Sequence, residues 1–211
     1  MGHYPINHSK EPIRLFKSDF LEFFTHIHPA VVVIAWLPVV AYLVIRALSA
    51  SSWKMTPNIY VGFLIGLFIW TLSEYSLHRF LFHHKAKGPV QERIFFLFHG
   101  VHHAQPQSKT RLVMPLAVSI PMAAIFYGLF TLFIATLFKQ PTWLFPTFAG
   151  FMTGYLIYDL MHFATHHFPM RSGYWKFIKR YHMQHHYKTP DQRFGVSSPL
   201  WDNVFGTNPG S

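Results

Sequence analysis

Four long apolar stretches dominate the pattern of hydrophobic and polar positions along the chain. A helix needs about 20 predominantly apolar residues to cross the hydrocarbon core of a bilayer, and each stretch is close to or above that length. The stretches around 31–44 and 117–137 have no polar face at helical spacing, which argues against core helices of a soluble bundle. We therefore predict four transmembrane helices, at about residues 29–45, 59–77, 113–138 and 142–161.

The segments between these stretches predict how the helices are connected. Only residues 46–58 separate the first two stretches and only 139–141 separate the last two, so the spans should form two helical hairpins. Residues 78–112 and 162–211 are more polar and lie outside the spans. The predicted fold is all-α and integral to the membrane, with these two segments forming a helical cap on one side.

The distribution of basic residues predicts the side on which the cap lies. Only Arg46, Lys54 and Lys139 of the 18 Lys and Arg fall in the two short connections. Basic segments next to membrane spans stay preferentially in the cytoplasm. We therefore expect a multi-pass protein with a cytosolic cap and both termini cytoplasmic, in a bacterial inner membrane or in the endoplasmic reticulum.

The composition agrees with a membrane protein and excludes several kinds of site. Hydrophobic residues make up 51% of the chain and charged residues only 12%. Because there is no cysteine, disulfides, thiolate zinc sites and iron–sulfur clusters are excluded. The formal net charge of +10 flanks the apolar stretches, a pattern that favours anionic lipid headgroups as partners and argues against nucleic acid.

Histidine supplies the candidate chemistry, because 12 of the 16 histidines form four groups on the predicted cytosolic side. Residues three or four apart share one helical face, so most groups can direct two or three imidazoles toward one point. Neutral imidazole is a good ligand for iron, zinc, copper and nickel. Ten or more converging imidazoles are too many for one ion and suit two ions of four or five nitrogen ligands, each with a position open for a small molecule. The groups are His78, His83 and His84; His99, His102 and His103; His162, His166 and His167; and His182, His185 and His186.

Some details of this constellation stay open at the level of sequence. His78 and His83 lie about 140° apart on an ideal α-helix, so they converge only if the helix is distorted. Glu74 and Asp159 precede ligands by one turn, and each is predicted either to accept a hydrogen bond from an imidazole or to pair with a base such as Arg79 or Arg111. Supporting roles are assigned to His84 and His167, and interfacial or no roles to His3, His8, His26 and His28.

Several strings of the sequence resemble the fatty acid hydroxylase superfamily, which also contains sterol desaturases and methyl-sterol oxidases. They are EYSLHRFLFHH at 74–84, HGVHH at 99–103, RLVMP at 111–115, YLIYDLMH at 155–162 and HMQHHY at 182–187. The closing string FGVSSPLWDNVFGT at 194–207 is most similar to the fatty acid 2-hydroxylase branch.

The resemblance implies a fatty acid hydroxylase domain over residues 29–211, preceded by a cytosolic segment, 1–28. It implies two iron ions, with zinc possible in a purified sample, and hydroxylation by O2 of carbon 2 of a membrane lipid's acyl chain, often in a ceramide. It also implies a substrate cavity lined by the catalytic candidates Tyr155, Tyr158 and Asp159. The ten implied metal ligands are His78, His83, His99, His102, His103, His162, His166, His182, His185 and His186.

The resemblance and the basic residues outside the spans also predict the binding partners. The segment before Pro29 is too short for the cytochrome b5 domain that eukaryotic members often carry, so we expect a separate redox donor such as cytochrome b5 or ferredoxin. Lys176, Lys179 and Arg180 could dock this donor or anionic lipid.

Three other functions are alternatives to a fatty acid hydroxylase. They are an acyl-lipid or sterol desaturase or oxidase of the superfamily, a histidine-rich metal transporter or store, and a zinc-dependent membrane hydrolase. The absence of histidine within the spans argues against transport, because transporters place ligands near the bilayer midplane.

Overall fold

A computed structural model describes residues 6–9 and 11–210, so His3 and part of the segment 1–28 lie outside the described residues. Within the described ranges the chain forms helices and loops without a strand, and the prediction of an all-α protein is confirmed. The helices are α1 (Asp19–Phe23), α2 (Pro29–Ala50), α3 (Pro57–Ser76), α4 (Pro89–Phe95), α5 (Val101–Ala104), α6 (Leu116–Phe130), α7 (Leu144–His167), α8 (Gly173–Tyr187) and α9 (Leu200–Val204).

Several of these helices are extended by turns of other types. π-Helical turns continue α3 over Leu77–Phe82, join α4 to α5 over Phe96–Gly100 and continue α6 over Thr131–Leu137. A 3-10 turn, Pro141–Trp143, leads into α7. Since π turns are rare and occur frequently at functional sites, the first two mark the part of the chain that carries histidines.

Among the described residues, three helical segments are long and apolar enough to cross a membrane, namely Pro29–Ala50, Pro57–Phe82 and Leu116–Leu137. They correspond to the first three predicted spans, although the second extends past residue 77 through its π turn. The fourth predicted span, 142–161, falls mostly within α7. This helix packs mainly against α3 and α2, and most of its residues are buried by protein.

Helices α3 and α7 approach each other backbone to backbone. A Cβ atom on Gly66 would lie 1.9 Å from the Thr147 carbonyl oxygen, and one on Gly150 would lie 1.9 Å from the Phe63 carbonyl oxygen. Small residues four apart permit this close approach in membrane helices. The sequence contains two such glycine pairs, at 62 and 66 and at 150 and 154. This contact fixes the helix ends that carry two of the histidine groups.

Candidate metal centre

The ten predicted ligands converge into two clusters of five histidines. Within each cluster, one candidate ligand atom from every residue lies within 4.8 Å of the others. The structure therefore brings together all ten residues and divides them equally. Cluster A contains His78, His83, His99, His103 and His185, and cluster B contains His102, His162, His166, His182 and His186.

The π turn after α3 explains how His78 and His83 reach the same cluster. The His83 amide donates to the His78 carbonyl oxygen at 3.0 Å, which is the five-residue hydrogen bond of a π turn. This wider turn replaces the α-helical geometry that would separate the two side chains. The imidazole centroids lie 4.8 Å apart as a result. The helix distortion that the sequence required is present in the structure.

The distances between ring nitrogens fit a metal coordination sphere. The closest Nε2 pairs lie 3.0–3.1 Å apart in cluster A and 2.8–3.1 Å apart in cluster B. Two nitrogens bound to one ion at about 2.1 Å, and at right angles to each other, would be separated by about 3.0 Å. Five nitrogens at this spacing suit an ion with five nitrogen ligands, which is within the four or five predicted from the sequence.

The surroundings keep these imidazoles neutral, as metal binding requires. Burial lowers the pKa of His99, His102 and His103 well below its ordinary value, and the neighbouring histidines lower it further. A neutral ring keeps a lone pair on one nitrogen and a proton on the other. The nitrogens that face each other at the centre of each cluster are therefore available for a cation.

Backbone carbonyls hold the second nitrogen of two candidate ligands in cluster A. The Nδ1 of His78 lies against the Phe194 carbonyl oxygen, and the Nδ1 of His185 lies 2.7 Å from the Gln192 carbonyl oxygen. Since a carbonyl oxygen can only accept, each Nδ1 carries the proton and each Nε2 faces the cluster. In the part of the chain that the structure describes, the Nδ1 atoms of His83, His102 and His182 are buried without a hydrogen-bond partner.

Glu74 does not have either partner that the sequence analysis considered. Its carboxylate accepts hydrogen bonds from the amides of Val196 and Ser197, each at 2.7 Å. No described imidazole or basic side chain bonds to it. Both predictions for Glu74 are wrong, because a segment more than 100 residues later in the chain reaches this carboxylate with its backbone amides.

Asp159 requires the same correction. It accepts hydrogen bonds from the Met114 amide at 3.1 Å and from the Tyr155 hydroxyl at 3.4 Å. Neither an imidazole nor a basic residue is its partner among residues 6–9 and 11–210. Arg111 pairs instead with Glu22, which belongs to the N-terminal segment. The carboxylate of Asp159 thus fixes the backbone that leads into α6.

An apolar cavity of about 210 Å³ lies beside both clusters. Its wall includes His99 of cluster A and His102 and His162 of cluster B, and also Tyr158 and Asp159. These two members of the predicted substrate-lining set therefore lie on the cavity wall.

Tyr155, the third member of that set, lies one turn before Tyr158 on α7. It lines a narrow apolar slot of about 20 Å³ and does not line the cavity. Its ring contacts Trp36 and Trp70 edge to face, at centroid distances of 6.0 Å and 5.5 Å. The slot and the cavity share Met114, so they meet at that side chain.

The N-terminal segment contributes a wall that the sequence analysis missed. Leu15, Phe16, Phe24 and Thr25 line the cavity. The Arg111 guanidinium holds this segment in place, because it donates to the Thr25 hydroxyl and carries the ion pair to Glu22. The segment has no apolar periodicity, so only its few charged residues could have indicated this role.

The other histidines among the described residues lie outside the two clusters. His84 packs against the Phe95 ring and His167 against the Phe163 ring. His28 accepts a hydrogen bond from the Ala30 amide through Nδ1 and caps the start of α2. These positions agree with the division between candidate ligands and other histidines that the spacing predicted.

Residues 63–207, which include both clusters and the closing string, match the fatty acid hydroxylase family. The chain belongs to the fatty acid hydroxylase family. The resemblance inferred from the sequence is confirmed, and so is the prediction of an oxidoreductase of the fatty acid hydroxylase type.

Several curated relatives of this hydroxylase extend the comparison. It is 39% identical to a dihydroceramide fatty acyl 2-hydroxylase of Arabidopsis thaliana, over 98% of this chain and 84% of the relative. It is 40% identical to a ceramide very long chain fatty acid hydroxylase of Saccharomyces cerevisiae, over 97% of this chain and 52% of that protein. The human fatty acid 2-hydroxylase is 33% identical, over 97% of this chain and 58% of that protein.

A solved structure agrees with the fold of this hydroxylase. The structure, described as full-length scs7p with only the hydroxylase domain visible, superposes with a TM-score of 0.80 at 40% identity. The superposition covers 91% of this chain and 70% of the other. The helical arrangement around the histidine clusters is therefore shared with a solved member of the family.

Proposed function

We propose that this hydroxylase is a membrane dimetal monooxygenase that hydroxylates carbon 2 of a lipid acyl chain with O2. The substrate class is a fatty acid or the N-acyl chain of a ceramide, as the names of the curated relatives suggest. The observation that carries the proposal is the pair of five-histidine clusters beside one apolar cavity. An apolar cavity suits a hydrocarbon chain, and ligands on its wall place the reactive centre beside that chain.

The ten histidines are proposed to hold two iron ions, five ligands to each ion. Nitrogen ligands suit iron and would also hold zinc, so a purified sample could contain either metal. When bound, the iron pair supplies the activation of O2 and the removal of a hydrogen atom from the acyl carbon. The chain itself binds the ions, aligns the substrate and excludes water from the cavity.

Alignment of the substrate is proposed to depend on the cavity and the slot together. From His162 at the cavity to Phe151 in the slot, α7 advances by about 16 Å at 1.5 Å per residue. An acyl tail that extends along this path leaves the carbons near its polar end beside the clusters. Tyr158 supports this end, since its ring stacks on the His162 ring at a centroid distance of 5.9 Å. Positioning matters because a displacement of about 1 Å can cost about a hundredfold in rate.

The membrane topology is proposed to consist of four spans in two hairpins, with α7 as the fourth span and the cap and both termini in the cytosol. The location of basic residues outside the short connections supports this orientation. Residues 29–211 form the hydroxylase domain and residues 1–28 the cytosolic segment that precedes it. The host membrane is proposed to be either a bacterial inner membrane or the endoplasmic reticulum.

Electrons are proposed to come from a separate donor protein such as cytochrome b5 or a ferredoxin. Helix α8 carries two histidines of cluster B and presents exposed Lys176 and Arg180 on its outer surface. An acidic redox protein would be attracted to this surface, and anionic lipid headgroups would be attracted to it in the same way.

Lipid analysis of a host that expresses the chain tests the proposed function. We expect acyl chains that gain the mass of one oxygen atom, with the hydroxyl at carbon 2, and no such product in cells without the gene. Loss of two hydrogen atoms would assign a desaturase instead. The variants His162→Ala and His185→Ala remove one ligand from each cluster and should abolish the product and lower the metal content. Full activity in either variant would contradict the ligand assignment.

A further inference from the structure

The closing segment, which we define as residues 192–207, lies against cluster A. Its Gln192 and Phe194 carbonyl oxygens accept from His185 and His78. The Phe194 ring also packs against the rings of His78, His83 and His185, at centroid distances of 5.4–5.9 Å. Among the hydrogen bonds of the described residues, none joins the closing segment to an imidazole of cluster B.

Two buried carboxylates hold four consecutive amides of the closing segment. The amides of Phe194 and Gly195 donate to Asp202 at 2.8 Å and 2.7 Å, and the next two amides donate to Glu74. Asp202 is 0% exposed and Glu74 is 3% exposed. No basic side chain forms an ion pair with either one in the described part of the chain. Since a buried carboxylate is costly unless it is hydrogen-bonded, these amides and carboxylates fix each other in place.

One peptide bond connects Asp202 to a candidate ligand. In a trans peptide the N–H and the C=O point in opposite directions. The amide of Gly195 points at Asp202, so the carbonyl of Phe194 points the other way, at His78 Nδ1. A negative charge at the N–H end strengthens the hydrogen bond that the carbonyl oxygen accepts.

Glycine is required at position 195 for this arrangement. A Cβ atom there would lie 2.0 Å from the Ser198 carbonyl oxygen and 3.0 Å from Asp202 Oδ2. A larger residue would therefore push the peptide away from the carboxylate.

We propose that Asp202 is a positioning residue of cluster A, which acts on His78 through the Phe194–Gly195 peptide. Metal-bound histidines commonly donate to a carboxylate directly, and here one peptide bond stands between the two groups. The carboxylate fixes the proton on Nδ1 and leaves Nε2 free for the cation. Glu74 holds the adjoining amides of the same segment. The proposal rests on the proposed function, since it requires that the clusters bind ions.

The two clusters therefore differ in their dependence on the closing segment. Loss of the Asp202 charge should lower the affinity of cluster A for its ion by about 10–100-fold. This is the usual effect of removing a group that hydrogen-bonds a metal-bound histidine. The ion in cluster B should be unaffected. A general loss of stability in the Asp202 variant would weaken the binding of both ions alike.

Metal release from the full chain in detergent measures this difference. Each protein is loaded with ferrous iron without oxygen, and iron per chain is followed while the EDTA concentration is raised. His182→Ala removes a ligand of cluster B, and His185→Ala removes a ligand of cluster A. In the His182→Ala background, Asp202→Asn should release the remaining ion at about 10–100-fold less EDTA. In the His185→Ala background, it should change nothing. Asp19→Asn removes an exposed carboxylate and should leave iron release unchanged in both backgrounds.

The outcomes separate this proposal from the proposed function. An equal shift in both backgrounds, or a shift in neither, overturns the role of Asp202 while leaving a two-ion wild-type protein intact. A wild-type chain that binds no iron overturns the proposed function and this proposal together. If Asp202→Asn does not fold, Thr207→Val removes a hydroxyl that donates to Asp202 and also bonds to the Tyr75 hydroxyl, and it leaves the Asp202 carboxylate in place. It should then give a smaller shift confined to the His182→Ala background, and an equal shift in both backgrounds would again overturn the proposal.

Discussion

A single ion pair ties the N-terminal segment to the wall of the cavity. Arg111 and Glu22 meet at 2.5 Å, with the Arg111 side chain fully buried and the Glu22 side chain 13% exposed. The Glu22 carboxylate also accepts the amides of Leu15 and Phe16, at 2.9 Å and 2.8 Å. Burial raises the pKa of Glu22, but these amides and the Arg111 guanidinium lower it by more, so the net pKa lies below its ordinary value.

We therefore expect Glu22→Gln to loosen this segment. Hydrogen bonds to a charged group contribute about 1.5 kcal/mol or more, so the Leu15 and Phe16 amides should exchange with solvent about tenfold faster or more. Hydrogen exchange followed by mass spectrometry measures this protection. Exposed Glu11 lies in the same segment, and Glu11→Gln should have no effect; equal exchange in the two variants would contradict the role of Glu22.

The same ion pair predicts a dependence on pH. A carboxyl group whose pKa is lowered by folding stabilises the folded segment fully above its unfolded pKa of about 4.3. That stabilisation disappears as the pH falls through the lowered folded value. Protection of the Leu15 and Phe16 amides, corrected for intrinsic exchange rates, should thus decrease below about pH 4.3 in the wild-type chain and stay flat in Glu22→Gln.

At the scale of elements, the contact between α3 and α7 determines where two histidine groups lie. Gly150→Ala places a methyl group 1.9 Å from the Phe63 carbonyl oxygen, so the helices must separate. Overpacking of this kind lowers the free energy of unfolding by about 1–3 kcal/mol. We expect a lower midpoint of thermal unfolding in detergent. Gly128→Ala is the matched control, since its added methyl group meets nothing within 4 Å. Equal midpoints for the two variants would show that the close approach is unimportant.

Helix α6 offers a second matched pair of substitutions. Ala123 lines the slot proposed for the acyl tail, whereas Ala124 is exposed on the outer face of the same helix. A phenylalanine at 123 would fill the slot, so the binding of long acyl tails should become less favourable by about 1–3 kcal/mol. Ala123→Phe should therefore reduce hydroxylation of the longest acyl chains about tenfold and shift products toward shorter chains, while Ala124→Phe should not. Lipid mass spectrometry of both variants measures the distribution of chain lengths, and an unchanged distribution in Ala123→Phe would place the tail elsewhere.

Local periodicity explains which parts of the molecule could be predicted from the sequence. Spacings of three and four residues predicted that most of the histidine groups share a helical face, and the resemblance to the family implied which ten histidines are the ligands. Even the conflict between His78 and His83 was visible, although its resolution by a π turn was not. The partners of Glu74 could not be predicted, because they are amides in a loop about 120 residues away, and backbone amides carry no signature in the sequence. Tyr155 lies one turn from Tyr158 but lines the slot and not the cavity, and its ring contacts with Trp36 and Trp70 could not be predicted from this spacing.

At the scale of the whole molecule, metal binding should determine how firmly the cap is attached to the membrane helices. The candidate ligands come from four segments, at about 78–83, 99–103, 162–166 and 182–186, so two ions would cross-link regions that are distant in sequence. An ion that binds only the folded state stabilises it by about 2.7 kcal/mol at a hundredfold excess over its dissociation constant. Removal of metal should therefore lower the midpoint of thermal unfolding, and returning ferrous iron should restore it.

Removal of metal should also accelerate amide exchange in α8 and around α5. The contact between α3 and α7 should keep its protection, because glycine packing holds it without any ion. Uniform acceleration throughout the chain would show that the bundle itself depends on the metal, and an unchanged midpoint would show that the ions do not connect the cap to the helices.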